Sequence, residues 1–134
     1  MKRHWMLDTN IVSHAIRSSG GVVANRLLTV SAGECCLSII TVAELRFGAA
    51  KVKSDRLRRQ IDGFIELAPA VPFEHPADAV YAEVRAGLEA RGKPIGPHDL
   101  FIAAHALSLD LTLVTANAGE FSRVPGLRIE NWLD

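Results

Sequence analysis

The sequence predicts an α/β fold with three layers, in which a central, mainly parallel sheet carries helices on both faces. Short apolar runs alternate along the chain with longer segments in which apolar residues recur every three or four positions. Strands that alternate with helices are typical of parallel sheets, because helical crossovers join the strands. The chain has 134 residues, a usual length for one domain, and we find no internal repeat or long linker. We therefore expect one domain over residues 1–134.

The predicted strands are short and mostly apolar. The clearest is the run from Cys35 to Ile40, which is apolar except for Ser38 and suits a strand that is covered on both faces. The five predicted strands are residues 4–7, 35–40, 70–73, 111–115 and 127–129. The predicted helices are residues 11–17, 22–30, 41–68 with a break near residue 54, 76–91 and 98–109. Prolines and glycines between residues 92 and 97 cannot continue a helix and predict a loop there.

The composition is that of an ordinary globular protein. Hydrophobic residues make up 49% and charged residues 22% of the chain, which excludes a disordered protein. The formal net charge is zero, which excludes a generally basic surface but allows a local basic patch. The adjacent Cys35 and Cys36 suit a buried strand rather than a disulfide or a zinc site. We find no signal peptide and no apolar run of about 18 residues, so we expect a cytoplasmic protein without membrane contact.

Several polar residues follow the predicted strands, where a parallel sheet binds its ligands. Asp8 follows the first strand, and Glu44 lies shortly after the second. Asp99 lies in the first turn of a helix after the proline and glycine loop. The fourth strand ends at Thr115, and Glu120 follows it closely. Carboxylates gathered along one edge repel each other, so a divalent cation is their natural counter-charge.

The residue types narrow the choice of cation and of chemistry. Oxygen ligands without paired histidine or cysteine suit Mg²⁺, with Mn²⁺ as a substitute, rather than zinc. Such a site favours metal-assisted hydrolysis of a phosphate ester. Each acid also has a structural alternative: Asp8 as a helix cap, Glu44 in a capping box with Thr41, and Asp99 as a partner of a helix dipole. The residues alone leave these alternatives open.

Five motifs follow one another in order from about residue 4 to the C-terminus. They are Leu7-Asp8-Thr9-Asn10; Ser38-x-x-Thr41-x-x-Glu44-Leu45-x-x-Gly48; Pro94-Ile95-Gly96-Pro97-x-Asp99-x-x-Ile102-Ala103; Leu113-Val114-Thr115-x-Asn117-x-x-Glu120-Phe121; and Val124-Pro125-Gly126-Leu127 with Glu130-Asn131-Trp132. In order and spacing they resemble the VapC toxins, which are PIN-domain ribonucleases of bacterial toxin–antitoxin pairs.

The resemblance implies a PIN fold and a Mg²⁺-dependent endoribonuclease that a VapB-type antitoxin inhibits. It suggests RNA, and tRNA in particular, as the substrate, and we expect a homodimer. Matched by motif, Asp8, Asp99 and Glu44 are the metal-binding acids and Thr115 is the hydroxyl residue after the fourth strand. Many PIN domains carry an aspartate where this chain has Asn117, and Glu120 is the candidate to replace that charge.

Two other classes of protein remain as alternatives. The departure at Asn117 motivates a catalytically silent PIN-fold module that binds RNA or the antitoxin. A phosphohydrolase with an aspartyl nucleophile is disfavoured, because Asn10 occupies the second acidic position of its D-x-D motif. A metal-dependent cleavage assay separates an enzyme from a silent module.

Two groups of residues outside the motifs receive weaker interpretations. A stretch of six basic residues is either an RNA or antitoxin contact or a solvated helix face; it comprises Arg46, Lys51, Lys53, Arg56, Arg58 and Arg59. Three histidines have no acid, serine or cysteine partner at a diagnostic spacing, which favours structural or surface roles; they are His14, His98 and His105. Trp132 is assigned to core or dimer packing.

Overall fold

The computed structural model describes residues 3–30 and 33–133 and contains a five-stranded parallel sheet. The strand order is β3-β2-β1-β4-β5, and every neighbouring pair runs parallel. The strands are β1 (Trp5–Leu7), β2 (Cys35–Ser38), β3 (Ala70–Val71), β4 (Thr112–Val114) and β5 (Ile129–Glu130). The predicted α/β class is confirmed. The predicted domain also included residues 1, 2, 31, 32 and 134, which lie outside the described residues.

Helices connect the strands and cover the sheet. They are α1 (Thr9–Arg17), α2 (Val22–Leu27), α3 (Ile39–Val52), α4 (Asp55–Leu67), α5 (Ala77–Ala90), α6 (Pro97–Ser108) and α7 (Ala118–Phe121). No helix within the described residues is both long enough and apolar enough to cross a membrane.

Two hydrophobic cores lie on opposite faces of the sheet. Successive strand residues point to opposite faces. Leu7 accordingly packs with residues of α1 to α4 in one core, and Met6 packs with residues of α5, α6 and α7 in the other. Both side chains are fully buried. The two cores confirm the three predicted layers.

The cysteines and Trp132 have the structural roles that the sequence favoured. Cys35 and Cys36 are free, buried thiols in β2. Burial raises the pKa of Cys35 to about 12 and that of Cys36 to about 11, which makes both poor nucleophiles. Trp132 is buried in the core beside Trp5, with the Arg26 guanidinium 5.2 Å from the centre of its ring.

The predicted boundary between the second strand and its helix is wrong by two residues. The sequence placed the strand at 35–40 and began the helix at Thr41, but β2 ends at Ser38 and α3 begins at Ile39. The Ser38 hydroxyl accepts the backbone N–H of Ile40 at 3.1 Å and caps the helix. The apolar, β-branched Ile39 and Ile40 therefore form the first helical turn, although their composition resembles a strand.

Two further elements near the C-terminus differ from the prediction. The last strand comprises residues 129–130 rather than 127–129, because β4 pairs with it through Leu113 opposite Ile129 and Val114 opposite Glu130. The helix α7 was not predicted. It has only four residues, which is too short for an apolar periodicity to show.

Candidate active site

Asp8 lies at the carboxyl end of β1 and has only 4% of its surface exposed. Its Oδ1 accepts the backbone N–H of Ile11 at 3.0 Å, which makes it the N-cap of α1. Its Oδ2 accepts the Thr115 hydroxyl at 2.5 Å. Burial raises the pKa of Asp8, and the charge of Glu44 adds to this, while the two hydrogen bonds oppose it. The same carboxylate therefore caps a helix and faces the other acids.

Thr115 joins the end of β4 to Asp8. It is fully buried, and its hydroxyl both donates to Asp8 and accepts the backbone N–H of Asn117 at 2.9 Å. With its acceptor and its donor occupied, the hydroxyl has one orientation. Asn10, which the sequence analysis placed in the first motif, is exposed at the start of α1.

Glu44 projects from α3, and partners from two other helices hold its carboxylate. Thr9 in α1 donates its hydroxyl to Oε1 at 2.7 Å. His98 in α6 contacts Oε2 through Nδ1 at 3.0 Å. The capping-box alternative is wrong, because the N-cap of α3 is Ser38 and not Thr41. Thr41 is buried within the helix, and its hydroxyl has no hydrogen-bond partner within the described residues.

Asp99 and Glu120 form a second pair of carboxyl groups beside the loop that precedes α6. Glu120 accepts the Gly96 backbone N–H at 2.6 Å and the Asn117 side-chain amide at 2.8 Å. These donors lower the pKa of Glu120. Burial, followed by the charges of Glu120, Asp8 and Glu44, raises the pKa of Asp99 to about 6. Of these two carboxyl groups, Asp99 is therefore the one that takes up a proton first as the pH falls.

The structure thus brings all five predicted site residues to one edge of the sheet. It also adds residues that the sequence analysis missed or assigned elsewhere. Thr9 and His98 hold Glu44, so His98 lies at the surface, as expected, but has an acid partner that the sequence spacing did not indicate. Glu44 precedes His98 by 54 positions along the chain, so no local pattern indicates this pair. His105 has the structural role expected of it, since it is buried and bonds Ser38 at 2.7 Å.

The donor set fits a hard divalent cation. Every candidate ligand is a carboxylate oxygen, which is the chemistry that Mg²⁺ and Mn²⁺ prefer. Burial and then the neighbouring negative charges raise the pKa of Asp99, and a bound cation would offset those charges. Among the described residues no three histidine, cysteine or acidic side chains converge enough to enclose a metal ion. Mg²⁺ commonly uses only one or two carboxylates and completes its shell with water, so it does not require such an enclosure.

Comparisons with known proteins place this fold and site in a family. Residues 5–127 match the family model of the PIN domain. Over 129 residues, the chain is 38% identical to the tRNA(fMet)-specific endonuclease VapC of Shigella flexneri, covering 96% of this chain and 97% of the relative. It is 40% identical over 130 residues to Ribonuclease VapC2 of Haemophilus influenzae, covering 96% and 98%. The chain belongs to the PIN-domain family, in its VapC branch.

Solved structures agree with this placement of the PIN domain. The DNA-bound VapBC complex of Salmonella typhimurium contains a chain that superposes with a TM-score of 0.91 at 36% identity, covering 97% of this chain and 98% of that one. A chain in the VapBC2 complex of Rickettsia felis, bound to a DNA fragment from its promoter, gives 0.89 at 35% identity, covering 96% and 98%. The resemblance drawn from the five motifs is confirmed.

The electrostatics of this PIN domain predict that Asp99→Asn stabilises the metal-free protein at high pH. Above pH 6 the native state holds Asp99 charged among other carboxylates, a cost that the unfolded chain does not bear. As the pH falls from 6 towards the usual aspartate value of 3.8, the native state binds a proton that the unfolded chain does not, and wild-type stability rises. The variant should exceed wild type by about 1 kcal/mol at pH 8, and by less at pH 5.

Urea unfolding in EDTA at the two pH values measures this difference. Asp62→Asn is the matched control, because Asp62 is an exposed carboxylate that pairs with Arg46 at 3.0 Å. Its removal should give no gain in the free energy of unfolding at either pH. Equal stability of Asp99→Asn and wild type at pH 8 would show that the acids are adequately solvated.

Proposed function

We propose that this protein is a Mg²⁺-dependent endoribonuclease toxin that hydrolyses phosphodiester bonds in RNA and that a VapB-type antitoxin neutralises. The observation that carries this proposal is the set of four carboxyl groups at one sheet edge, where burial and the charges of the other three raise the pKa of Asp99 to about 6. The names of the VapC relatives support RNA as the substrate, and the relative in Shigella flexneri supports tRNA. The solved VapBC complexes support the antitoxin.

Asp8, Asp99 and Glu44 are the proposed metal-binding residues. When bound there, Mg²⁺ supplies positive charge at the scissile phosphate and acidifies a water for attack on phosphorus, and Mn²⁺ can substitute for it. The protein's own part is to orient the acids. Thr115 fixes the Asp8 carboxylate, and Thr9 and His98 fix that of Glu44. Such supporting hydrogen bonds set both the geometry and the affinity of a metal site.

Glu120 is proposed as the fourth acid, in place of the aspartate that many PIN domains carry at the position of Asn117. The Asn117 amide donates to Glu120 and thereby favours its charged form. An aspartate at position 117 would instead oppose that charge. The asparagine is consequently compatible with an active site, which argues against the catalytically silent module.

Asp8→Asn and Asp99→Asn should each abolish Mg²⁺-dependent RNA cleavage while the protein stays folded. Asparagine keeps the shape of the side chain but removes an anionic oxygen ligand. Cleavage of tRNA in limiting Mg²⁺ tests both variants, with circular dichroism as the check on folding. Cleavage at the wild-type rate would remove that residue from the set of ligands.

Glu44→Gln should lower the cleavage rate by at least about a hundredfold and change stability by no more than roughly 1 kcal/mol. The amide oxygen can still accept the Thr9 hydroxyl, whereas the negative charge is lost. Glu66→Gln, an exposed position on α4, is the matched control and should retain full activity. Undiminished cleavage by Glu44→Gln in limiting Mg²⁺ would leave Asp8 and Asp99 as the only metal ligands.

The proposed antitoxin should cover the acidic edge with an arginine or lysine and bury an amphipathic segment in a separate apolar cleft. A cationic side chain complements the gathered carboxylates. An apolar cleft of about 460 Å³ between α1, α2 and α4 suits an amphipathic segment, and two exposed leucines, Leu28 and Leu67, line it. A segment that binds there would shield both leucines from water.

Single substitutions test the contact in the cleft. Leu28→Asp and Leu67→Asp should weaken binding of a co-expressed VapB-type partner at least tenfold and leave RNA cleavage unchanged. Leu109→Asp, an exposed leucine that does not line this cleft, is the control. A complex in which the antitoxin leaves both the cleft and the acidic edge exposed would overturn the proposal.

The homodimer and the cytoplasmic location remain proposals. Exposed apolar side chains on α3 offer a surface for a second copy of the chain, and they include Ile39, Phe47 and Val52. Sedimentation of the free toxin measures its oligomeric state.

A further inference from the structure

Three basic residues lie on the loop after α5 and on the turn after α7, two segments that meet at the hydrogen bond between the Gly96 N–H and Glu120. α5 ends in a left-handed turn at Gly92, whose φ is +67°, and the Lys93 backbone N–H returns to the Leu88 carbonyl at 2.9 Å. This is a Schellman ending, and glycine is the residue that adopts it without strain. The turn reverses the chain and leads it from Arg91 towards Gly96 and the site.

Backbone carbonyls hold the two arginines of this group in place. Arg91 donates Nη2 to the Arg123 carbonyl at 3.2 Å. Arg123 donates Nη1 to the Pro94 carbonyl at 3.1 Å. A guanidinium has five N–H donors, so each arginine keeps donors free for a ligand. All three basic residues, Arg91, Lys93 and Arg123, are exposed.

The same loop supports the acidic site. Two residues beyond Pro94, the Gly96 N–H binds Glu120 at 2.6 Å, and Glu120 precedes Arg123 by one helical turn. The positive charge of Arg123 contributes to the lowered pKa of Glu120. Arg91 and Arg123 are therefore hydrogen-bonded to the same segments of backbone that position Glu120.

These positive charges are uncompensated, unlike several others on the surface. Within residues 3–30 and 33–133, neither Arg91, Lys93 nor Arg123 forms an ion pair with a carboxylate. Other arginines are neutralised by carboxylates at 2.7–3.0 Å; these pairs are Arg46–Asp62, Arg58–Asp55, Arg85–Glu89 and Arg128–Asp110. Two of the six basic residues that the sequence singled out on α3 and α4 thus already have acidic partners.

We propose that Arg91, Lys93 and Arg123 form a phosphate clamp that binds the RNA backbone beside the scissile bond. Contacts to phosphates supply much of the affinity for nucleic acids and set the register of the strand. A site rich in carboxylates repels a polyanion, so fixed positive charge next to it is needed to bring the strand close. This inference rests on the proposed function, because it assumes an RNA substrate.

Binding without cleavage tests the clamp separately from the enzyme. Fluorescence anisotropy with labelled, unfractionated tRNA in EDTA gives the dissociation constant as a function of KCl concentration. Lys93→Gln is the decisive variant, since its side chain makes no hydrogen bond or ion pair in the described structure. It should weaken binding roughly threefold at 0.2 M salt and lower the slope of log Kd against log salt by about one.

Arg91→Gln and Arg123→Gln should act in the same way. Arg123→Lys keeps the charge and should retain the wild-type slope, which separates loss of charge from loosening of the loop. Lys51→Gln, Arg56→Gln and Arg59→Gln remove unpaired charges on α3 and α4 and should leave the slope unchanged. In Mg²⁺, Lys93→Gln should raise KM for tRNA cleavage and retain kcat.

A wild-type slope for Lys93→Gln, Arg91→Gln and Arg123→Gln would overturn the clamp. So would a lower slope for the α3 and α4 variants alone, because the strand would then cross the opposite side of the site. A wild-type protein that binds tRNA through the clamp but never cleaves RNA would contradict the proposed function and leave the clamp intact.

Discussion

Asp8 is a nearly fully buried carboxylate at the end of a central strand, and a buried charge costs several kcal/mol unless hydrogen bonds offset that cost. Its two bonds come from Ile11 at the start of α1 and from Thr115 at the end of β4. The bond from Thr115 exists because β1 and β4 pair in parallel with Leu7 opposite Val114, so that residues 8 and 115 leave the sheet side by side. A slip of one residue would turn Leu7 and Met6 to the wrong cores and would separate Asp8 from Thr115.

The other three acids at this edge differ in the contacts that surround their carboxyl groups. Glu44 contacts Thr9 and His98 on two other helices, and Glu120 accepts hydrogen bonds from a backbone N–H and an amide, which lower its pKa. Asp99 is instead affected by burial and by the repulsion of three neighbouring carboxylates, which together raise its pKa to about 6. A divalent cation bound at this edge would offset that repulsion.

The sequence predicted the sheet and the acids because both leave local signals. Asp8, Glu44 and Asp99 each follow a recognisable strand or loop, and parallel strands bring their carboxyl ends to one edge. The start of α3 was misplaced because Ile39 and Ile40 have the composition of a strand, and only the Ser38 cap shows where the helix begins. That error of two residues made Thr41 resemble an N-cap and produced the capping-box alternative for Glu44.

Contacts between distant segments of the chain leave no local pattern in the sequence. Thr9 lies 35 positions from Glu44 and His98 lies 54 positions from it, so only the packing of α1, α3 and α6 brings the three together. The proposed clamp was missed for the same reason, since Arg91 and Arg123 follow different helices and meet through backbone carbonyls. A count of charges along the sequence favoured α3 and α4 instead, where Arg46 and Arg58 are already paired.

The proposed distribution of charge would let a protein of zero net charge bind a polyanion at an acidic site. The carboxylates would repel RNA at the proposed point of cleavage, while the proposed clamp would attract it one loop away. The negative edge and the positive clamp would affect the two proposed partners in opposite ways. RNA would depend on the clamp and on a cation among the acids, whereas an antitoxin with a cationic side chain would need the acids free of metal. Substrate and inhibitor would therefore compete through the charge state of one edge as well as through its shape, and Mg²⁺ would favour the substrate in that competition.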